Sequence, residues 1–427
     1  YGKISDQFGR KRIFQASIVI FLAGSALSGA AQDMYQLIAF RAIQGLGAGG
    51  LMTLAFAIIG DVIAPRERGR YQGYFGAVFA LSSVIGPLLG GFLVDQASWR
   101  WVFYVNLPIG AFGLVLVNRV LKEDRRAPHS KIDIAGSLLI VGGVSLVLVG
   151  VQLASAAARM TATSWAYIVP GVLLLVAFGW WETRAAEPII PLHLFRNRVF
   201  AVANSLGFIS GTVMFGALLF LPLYFQQVRG ISPTESGLRL LPMLAGVLLT
   251  SITSGRMVSR IGRYKVFVVV GNAVLAGGMA LMTTITVATS AWALAGMLFV
   301  IGAGMGLFMQ ILVIAVQNSV PMRYMGVGTA SVTFFRTLGG AIGAAVLGAV
   351  LFLKSKQSLP RFVHRYGPGA QAHHHAFVYG MHESFLYITP MAVLAFLLSF
   401  LLKEVRLRSS SGPGSAEAGA SLESVIG

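Results

Sequence analysis

Asp6 stands four residues ahead of the cations Arg10, Lys11 and Arg12 in the opening segment Gly2-Lys-Ile-Ser-Asp6-Gln-Phe-Gly9-Arg10-Lys-Arg12-Ile-Phe14. A carboxylate beside a cationic cluster, between two glycines that permit tight turning, suits ion pairing and helix capping more than bond-making chemistry. Asp6 is placed to accept hydrogen bonds from the positive end of a helix, here the start of the apolar run Gly326–Leu353, and Arg10 can reach Asp61. Such contacts form when two parts of a molecule close on each other. Gly2, Asp6, Gly9, Arg10, Arg12 and Asp61 are therefore expected to work as a conformational latch. A plain basic turn is the simpler alternative, and it leaves Asp6 unexplained.

Other chemical patterns do not survive their context. Gly45-Leu-Gly-Ala-Gly-Gly50 has the spacing of a dinucleotide-binding loop. It lies inside an apolar run with no strand before it, where small residues serve helix packing. His373, His374 and His375 have no cysteine and only Glu383 nearby, so no metal site is expected. Leu386 stands where His382-Glu383 would need a second histidine, and no phosphate loop ending in Gly-Lys-Ser/Thr is present. With no cysteine anywhere, disulfides, thiolate ligands and cysteine catalysis are excluded together. Neither an enzyme nor a resident cofactor is expected.

Composition says what must position these residues. Of 427 residues, 56% are hydrophobic and 11% charged, against about 25% charged in soluble domains; mean hydropathy is +0.75. Twelve apolar runs are long enough to cross a hydrocarbon layer of about 30 Å. They are Ile13–Ala31, Tyr35–Gly60, Tyr71–Val94, Phe103–Leu121, Ile134–Leu153, Trp165–Trp181, Val199–Phe225, Leu238–Met257, Val266–Thr286, Ala291–Val316, Gly326–Leu353 and Ser384–Leu402. Continuous runs exclude a β-barrel, which alternates. The net charge of +18 would suit nucleic acid, but the cations sit in short loops between spans. Twenty-three of the 33 Lys and Arg lie on the side of Gly2–Arg12 and eight on the other, with Arg41 and Arg336 inside spans. The basic side is expected to be cytoplasmic, with both chain ends there and the protein multi-pass in the cell membrane. Lys354–Glu383 reads as one long external loop, and residues 409–427 as a disordered tail.

The opening segment recurs as Gly255-Arg-Met-Val-Ser259-Arg-Ile-Gly262-Arg263-Tyr-Lys265-Val-Phe267. Gly86-Pro87-Leu-Leu-Gly90-Gly91 recurs as Gly339-Gly340-Ala-Ile-Gly343-Ala344, and Gly45, Gly47 and Gly49 match Gly302, Gly304 and Gly306. Two related halves of this kind form substrate sites between them near the midplane. The expected organisation is an N-terminal bundle over 1–126, two central linker helices over 127–190 and a C-terminal six-helix bundle over 191–408. Two spans precede the second copy of the loop within its half. By symmetry two more are expected before Gly2, making fourteen.

These motifs resemble the fourteen-helix drug:proton antiporter branch of the major facilitator superfamily. The opening loop is similar to that family's cytoplasmic loop motif, Arg41-Ala-Ile-Gln44-Gly45 to its fourth-helix motif, and Gly86-Pro87-Leu-Leu-Gly90-Gly91 to its fifth-helix antiporter motif. Ser98-Trp-Arg-Trp-Val-Phe-Tyr-Val-Asn-Leu-Pro-Ile-Gly110, Pro191-Leu-His-Leu-Phe195, Leu221-Pro-Leu-Tyr-Phe-Gln-Gln227 and Phe335-Arg336-Thr-Leu-Gly-Gly340 add to the resemblance. It implies an all-α membrane fold of two pseudo-symmetric bundles and proton-coupled export of hydrophobic or cationic small molecules by alternating access. The implied partners are protons, the cargo and the bilayer, with no nucleic acid and no required oligomer. A dedicated exporter of one endogenous metabolite is the alternative, and a non-transporting membrane sensor a weaker one. The family's usual acid on the first helix, tied to proton and drug binding, is expected upstream of Tyr1.

Within the spans, Arg41 is expected either to face the interior with a partner or to snorkel to the surface. Glycines around Pro87 are expected to let helices approach closely at a kink. Asn204, Asn272, Gln310 and Arg336 are candidates to line a cargo cavity, and Tyr224, Gln226 and Gln227 its outer mouth; helix–helix hydrogen bonding competes for each.

The basic asymmetry makes a direct prediction. In this cysteine-free chain, a cysteine replacing Ser130 is expected to be labelled from the cytoplasm alone, and one replacing Ser358 from outside alone. The reverse pattern would overturn the orientation.

Overall fold

Hydrocarbon offers no partner to a free backbone N–H or C=O, so a chain this apolar must coil into helices. The computed structural model describes residues 1–63, 65–121, 133–157, 160–185, 188–321 and 324–405. They form helices joined by short turns, with no strand among the described residues. In order these are α1 (Gly2–Phe8), α2 (Arg10–Ala30), α3 (Met34–Val62), α4 (Pro65–Gln96), α5 (Trp101–Tyr104), α6 (Asn106–Val120), α7 (Ile134–Ala157) and α8 (Ala162–Glu182). There follow α9 (Arg198–Gln227), α10 (Pro233–Leu238), α11 (Leu241–Ile261), α12 (Lys265–Met282), α13 (Ala291–Ser319), α14 (Met325–Tyr366) and α15 (Ala370–Ser399). Among the described residues, eleven stretches are long and apolar enough to cross a membrane. The 32-residue α4 contains the twelfth run expected from the sequence.

Helix starts follow from local chemistry. Asp33, Thr161, Asn197, Ser232 and Ser290 each accept a first-turn N–H of α3, α8, α9, α10 and α13, groups that otherwise have no partner. Gly9 joins α1 to α2 at φ 93°, and Gly262 joins α11 to α12 at φ 72°. They hold the same place in the two copies of the loop, in a conformation that residues with a Cβ avoid.

Packing repeats as well, though unevenly. A side chain on Gly302 or Gly306 of α13 would strike the backbone of α11, at Met243 and Val247, and one on Gly304 the backbone of α12. Gly339 and Gly343 of α14 abut Phe208 and Thr212 of α9 in the same way. In the first half, Gly47 abuts Phe21 of α2, but Gly45, Gly49, Gly86 and Gly90 have no atom of the described residues within 4 Å of where a side chain would begin. The close packing expected around Pro87 is therefore corrected. Only Gly91 approaches another helix, with Thr234 Oγ1 3.1 Å from a Cβ built there, and the Pro87 side chain lies outside the described residues. The reason is geometric: α11 and α9 cover these faces in the second half, and no described helix takes their place in the first.

α4 runs along α11 and α13, α7 packs on α8 and on α14, and α14 packs chiefly on α9 and α15. The buried apolar core is drawn from α9 to α15 and their connections, joined from the first half by Phe56. The expected external loop Lys354–Glu383 is instead helical. α14 runs for 42 residues, roughly 60 Å at about 1.5 Å per residue, then turns at Gly367 and returns as α15. Lys354 pairs with Glu383 at 3.6 Å, and the His375 ring stacks on Tyr366 at 4.3 Å, so the histidine run belongs to a helical hairpin. Ser358 is buried there, which makes the neighbouring exposed Gln357 the better labelling position. Ser130 and the tail 409–427 lie outside the described residues.

The glycine seats predict opposite outcomes for one substitution. Gly302→Ala is expected to destabilise by about 1–3 kcal/mol, because the α11 backbone cannot retreat. Gly45→Ala is expected to stay within about 0.5 kcal/mol of the parent. Thermal unfolding of the detergent-purified protein checks both, and equal effects would refute the asymmetry.

Candidate functional site

The end of the molecule that carries the opening loop is where the two halves meet. α1 lies across the start of α14 so closely that a side chain on Gly2 would strike the Gly326 carbonyl and Ala330. Beneath it, Ser5 Oγ donates to the Gly2 carbonyl at 2.8 Å. Arg10 Nη1 donates to the same carbonyl at 3.4 Å and to Ser5 Oγ, and its Nε meets Asp61 Oδ2 at 2.8 Å. Arg10 is 5% exposed, so this ion pair is held with little water around it.

The pair does not cross between halves, as the latch reading expected, because α2 and α3 both belong to the first half. It stiffens the base on which Gly2 meets Gly326. Among the described residues the crossing is made by neutral groups and by Arg256 of α11, which meets the Tyr74 hydroxyl of α4. Gln317 of α13 donates to the Phe56 carbonyl of α3 at 3.2 Å and to Thr329 Oγ1 at 3.0 Å. The Arg70 N–H of α4 donates to Ser259 Oγ of α11 at 3.1 Å. Ser259 is the repeat's counterpart of Asp6, so each copy of the loop abuts a helix of the opposite half. Asp6 lies on α1, with its side chain outside the described residues, and Arg12 is exposed on the first turn of α2.

Arg68 is a residue that sequence reasoning missed. It is 1% exposed, with Nε donating to the Ile63 carbonyl at 2.9 Å and Nη2 to that of Gly60. A cation on the last carbonyls of α3 favours its negative end. The signal was Pro65-Arg-Glu-Arg68-Gly-Arg70, which the charge tally treated as loop. Across the seam, Glu404 accepts the N–H groups of Tyr264 and Lys265 at 2.9 and 3.1 Å, capping α12. The Tyr264 hydroxyl donates to the Lys403 carbonyl at 2.9 Å, and burial pushes it up to about 12.

Deeper in the first half, Arg41 has its partner. Arg41 Nη1 donates to Gln44 Oε1 at 2.6 Å and the guanidinium lies 5.7 Å from the Phe103 ring centre. Gln44 Nε2 and Asn106 Nδ2 both donate to Ser25 Oγ, at 2.9 and 3.0 Å, and Ser25 donates to the Phe103 carbonyl at 2.9 Å. Pro108 has no N–H to give, and the chain breaks at Val105 between α5 and α6. The repeat carries Ser25 onto Gly278 and Gln44 onto Ile301, and there a Cβ on Gly278 would rest 2.8 Å from the Ile301 side chain. One half has a polar knot where the other has an apolar contact.

The cargo candidates of the second half are buried and incompletely satisfied. Asn204 and Asn272 donate to carbonyls one turn back, at 2.8 Å each, which leaves their Oδ1 atoms without a partner among the described residues. Gln310 Oε1 and Arg336 Nη1 are likewise without one. Arg336 is 8% exposed. Tyr224 and Gln226 do not line a mouth: Tyr224 donates to the Thr286 carbonyl at 3.0 Å and Gln226 to Ser236 Oγ at 3.1 Å, holding the turn after α12 and the short helix α10 against α9. Between the halves, directly beside the Gly2–Gly326 contact, lies a cavity of about 580 Å³. Tyr1, Gly45, Phe334 and aliphatic side chains of α7 and α14 line it, with the hydroxyls of Ser145, Ser331 and Thr337.

Comparison with known proteins follows the same lines. The model of the family described as Major Facilitator Superfamily matches residues 1–344. The chain is 40% identical over 358 residues to the multidrug transporter protein MdtP of Bacillus subtilis, covering 83% of this chain and 65% of that protein. It is 35% identical over 364 residues to the acurin A biosynthesis cluster MFS-type transporter of Aspergillus aculeatus, covering 83% and 65%. The chain thus spans just under two thirds of the length of these relatives. The human organic anion transporter MFSD10 (TETRAN) shares its fold, with a TM-score of 0.63 at 17% identity over 94% of this chain and 79% of that one.

The polar knot yields a double-mutant test. Gln44→Ile alone takes the acceptor from Arg41 and one donor from Ser25 Oγ, and is expected to lower stability by about 1–3 kcal/mol. Adding Ser25→Gly installs the second half's pairing and is expected to recover part of that loss. Strict additivity in thermal unfolding would show that the knot is not a unit.

Proposed function

The chain belongs to the major facilitator superfamily, a family of membrane transporters, and on that premise we propose that it exports hydrophobic or cationic small molecules in exchange for protons. The observation that carries this reading is the cavity of about 580 Å³ set between the halves beside their closed end. Among the described residues its walls are apolar with three hydroxyls and no charged side chain, which suits a hydrophobic cargo held by area and a few hydrogen bonds. Tyr1 and Phe334 offer ring faces to a cation. The multidrug name of the Bacillus relative supports the same reading.

In this reading the basic end faces the cytoplasm of a cell-membrane protein with both chain ends inside. The seam of Gly2, Gly326, Phe56, Gln317, Arg70 and Ser259 closes that side while cargo leaves by the other. Residues 1–126 and 191–408 are the moving halves, and α7 and α8, within 127–190, are the linker. The uncovered glycines of α3 and α4 are seats for helices equivalent to α11 and α9. A second reading, export of one endogenous metabolite, is supported by the biosynthesis-cluster relative.

The test is transport by the full-length protein in vesicles under an imposed pH gradient, with a lipophilic cationic dye as cargo. Asp61→Asn breaks the 2.8 Å pair with Arg10 beneath the seam and is expected to cut efflux at least tenfold while the protein remains folded and inserted. Wild-type efflux from that variant would remove the seam from the mechanism. Efflux that persists after a protonophore collapses the gradient would remove proton coupling.

A further inference from the structure

The hairpin that replaces the expected external loop carries an excess of cations on the side where the charge rule predicts few. Lys354, Lys356, Arg361 and Arg365 lie on its first limb. The acid facing them, Glu383, is engaged by Lys354 at 3.6 Å. Short loops on the far side of a membrane normally avoid Lys and Arg, so the cluster calls for a local cause.

A cavity of about 610 Å³ opens at the foot of the hairpin, between the far ends of α7 and α9 and the limbs of α14 and α15. Its walls are graded by depth. On α14, Lys356 stands one turn outside Phe352; on α15, His373 stands one turn outside Phe377. Gln227, the last residue of α9, and Gln152 near the end of α7 add amide groups to the polar rim. No carboxylate lines the cavity among the described residues. Ser355 also lines the wall, its hydroxyl turned to Gly380 of α15. One cation and several donors above, and two aromatic rings below, match a molecule with an anionic head and a hydrocarbon tail.

We propose that this cavity binds one anionic phospholipid, its phosphate on Lys356 and the rim donors and its acyl chain along Phe352 and Phe377. Two features favour a membrane lipid over a soluble anion. The cavity lies where two spans end, the level of lipid phosphates. It opens beside α7, a helix most of whose surface faces outward from the protein. Its volume, in the range of about 300–1,000 Å³ typical of small-molecule sites, admits a headgroup and part of a chain and does not itself choose between the two. An anchored lipid also explains the basic limb, whose remaining cations raise the local concentration of anionic headgroups. The outer leaflet as the source rests on the orientation proposed above; binding itself does not.

The test uses the purified full chain in detergent, titrated with phosphatidylglycerol, phosphatidylcholine or dodecyl phosphate and read by native mass spectrometry. One phosphatidylglycerol is expected to bind at least tenfold more tightly than phosphatidylcholine. Lys356→Gln is expected to weaken it about tenfold, the worth of one charge-assisted hydrogen bond. Arg365→Gln, at the hairpin tip, is expected to leave it unchanged. Equal loss from both variants would make the hairpin a diffuse basic surface and overturn the site. Dodecyl phosphate binding as tightly as the phospholipid would overturn the lipid assignment in favour of a free amphipathic anion. A dye-efflux defect in the Asp61→Asn protein has no bearing on this binding, so the two proposals fail separately.

Discussion

Helices in lipid gain nothing from hydrophobic burial against one another, so their association rests on how closely backbones can approach. In this protein that approach is made at glycine. Gly302, Gly304 and Gly306 bring α13 onto α11 and α12, Gly339 and Gly343 bring α14 onto α9, and Gly24 and Gly47 bring α2 onto α3. Everything with chemistry is hung on these contacts. Gln44 reaches Ser25 because Gly24 lets the two backbones touch beside them. Gln317 reaches Phe56 because Gly60 leaves space for its amide, 3.2 Å from where a Cβ would sit.

The repeat preserves this scaffold and discards the polar chemistry. Gly9 and Gly262 both keep a positive φ, yet Asp6 becomes Ser259, and the Ser25–Gln44 pair becomes Gly278–Ile301. Backbone geometry tolerates little change, because a Cβ at a seat strikes main chain that cannot move. Hydrogen-bonding partners can be lost in pairs at small cost when both become apolar. Two halves that share a fold can therefore diverge in chemistry, the second keeping buried Asn204, Asn272, Gln310 and Arg336 with unused polar atoms.

Much of this was legible in the sequence, and unevenly so. Span positions, the repeat and the Arg10–Asp61 neighbourhood could be read because they depend on local composition and on a spacing that helices preserve. The hairpin could not. Lys354–Glu383 is polar enough to look like a loop, and helical periodicity there is set by packing of one limb on the other, through Tyr366 on His375 and Ser355 on Gly380. Arg68 was missed because charge counting cannot tell a cation in solvent from one closing the end of a helix. Tyr224 and Gln226 were misplaced because a polar residue near a span end looks the same whether it ties a loop or lines a mouth.

The distribution of strong and weak contacts bears on how such a molecule can cycle. Among the described residues, the buried ion pair Arg10–Asp61 lies within one half. Breaking such a pair costs about 3–5 kcal/mol when a charge is left stranded, so a cycle that broke it would be slow. Among the described residues, the bonds that cross the seam are a backbone contact at Gly2, an exposed contact of Tyr74 with Arg256, and neutral hydrogen bonds from Gln317 and Arg70, the neutral bonds worth about 0.5–1.5 kcal/mol net each. A few of these sum to a few kcal/mol. Driving a two-state equilibrium from about 1:99 to 99:1 takes about 5.5 kcal/mol of differential binding. In the proposed cycle the seam is therefore weak enough for cargo and protons to open, while the rigid pair beneath it keeps its geometry for the next closure.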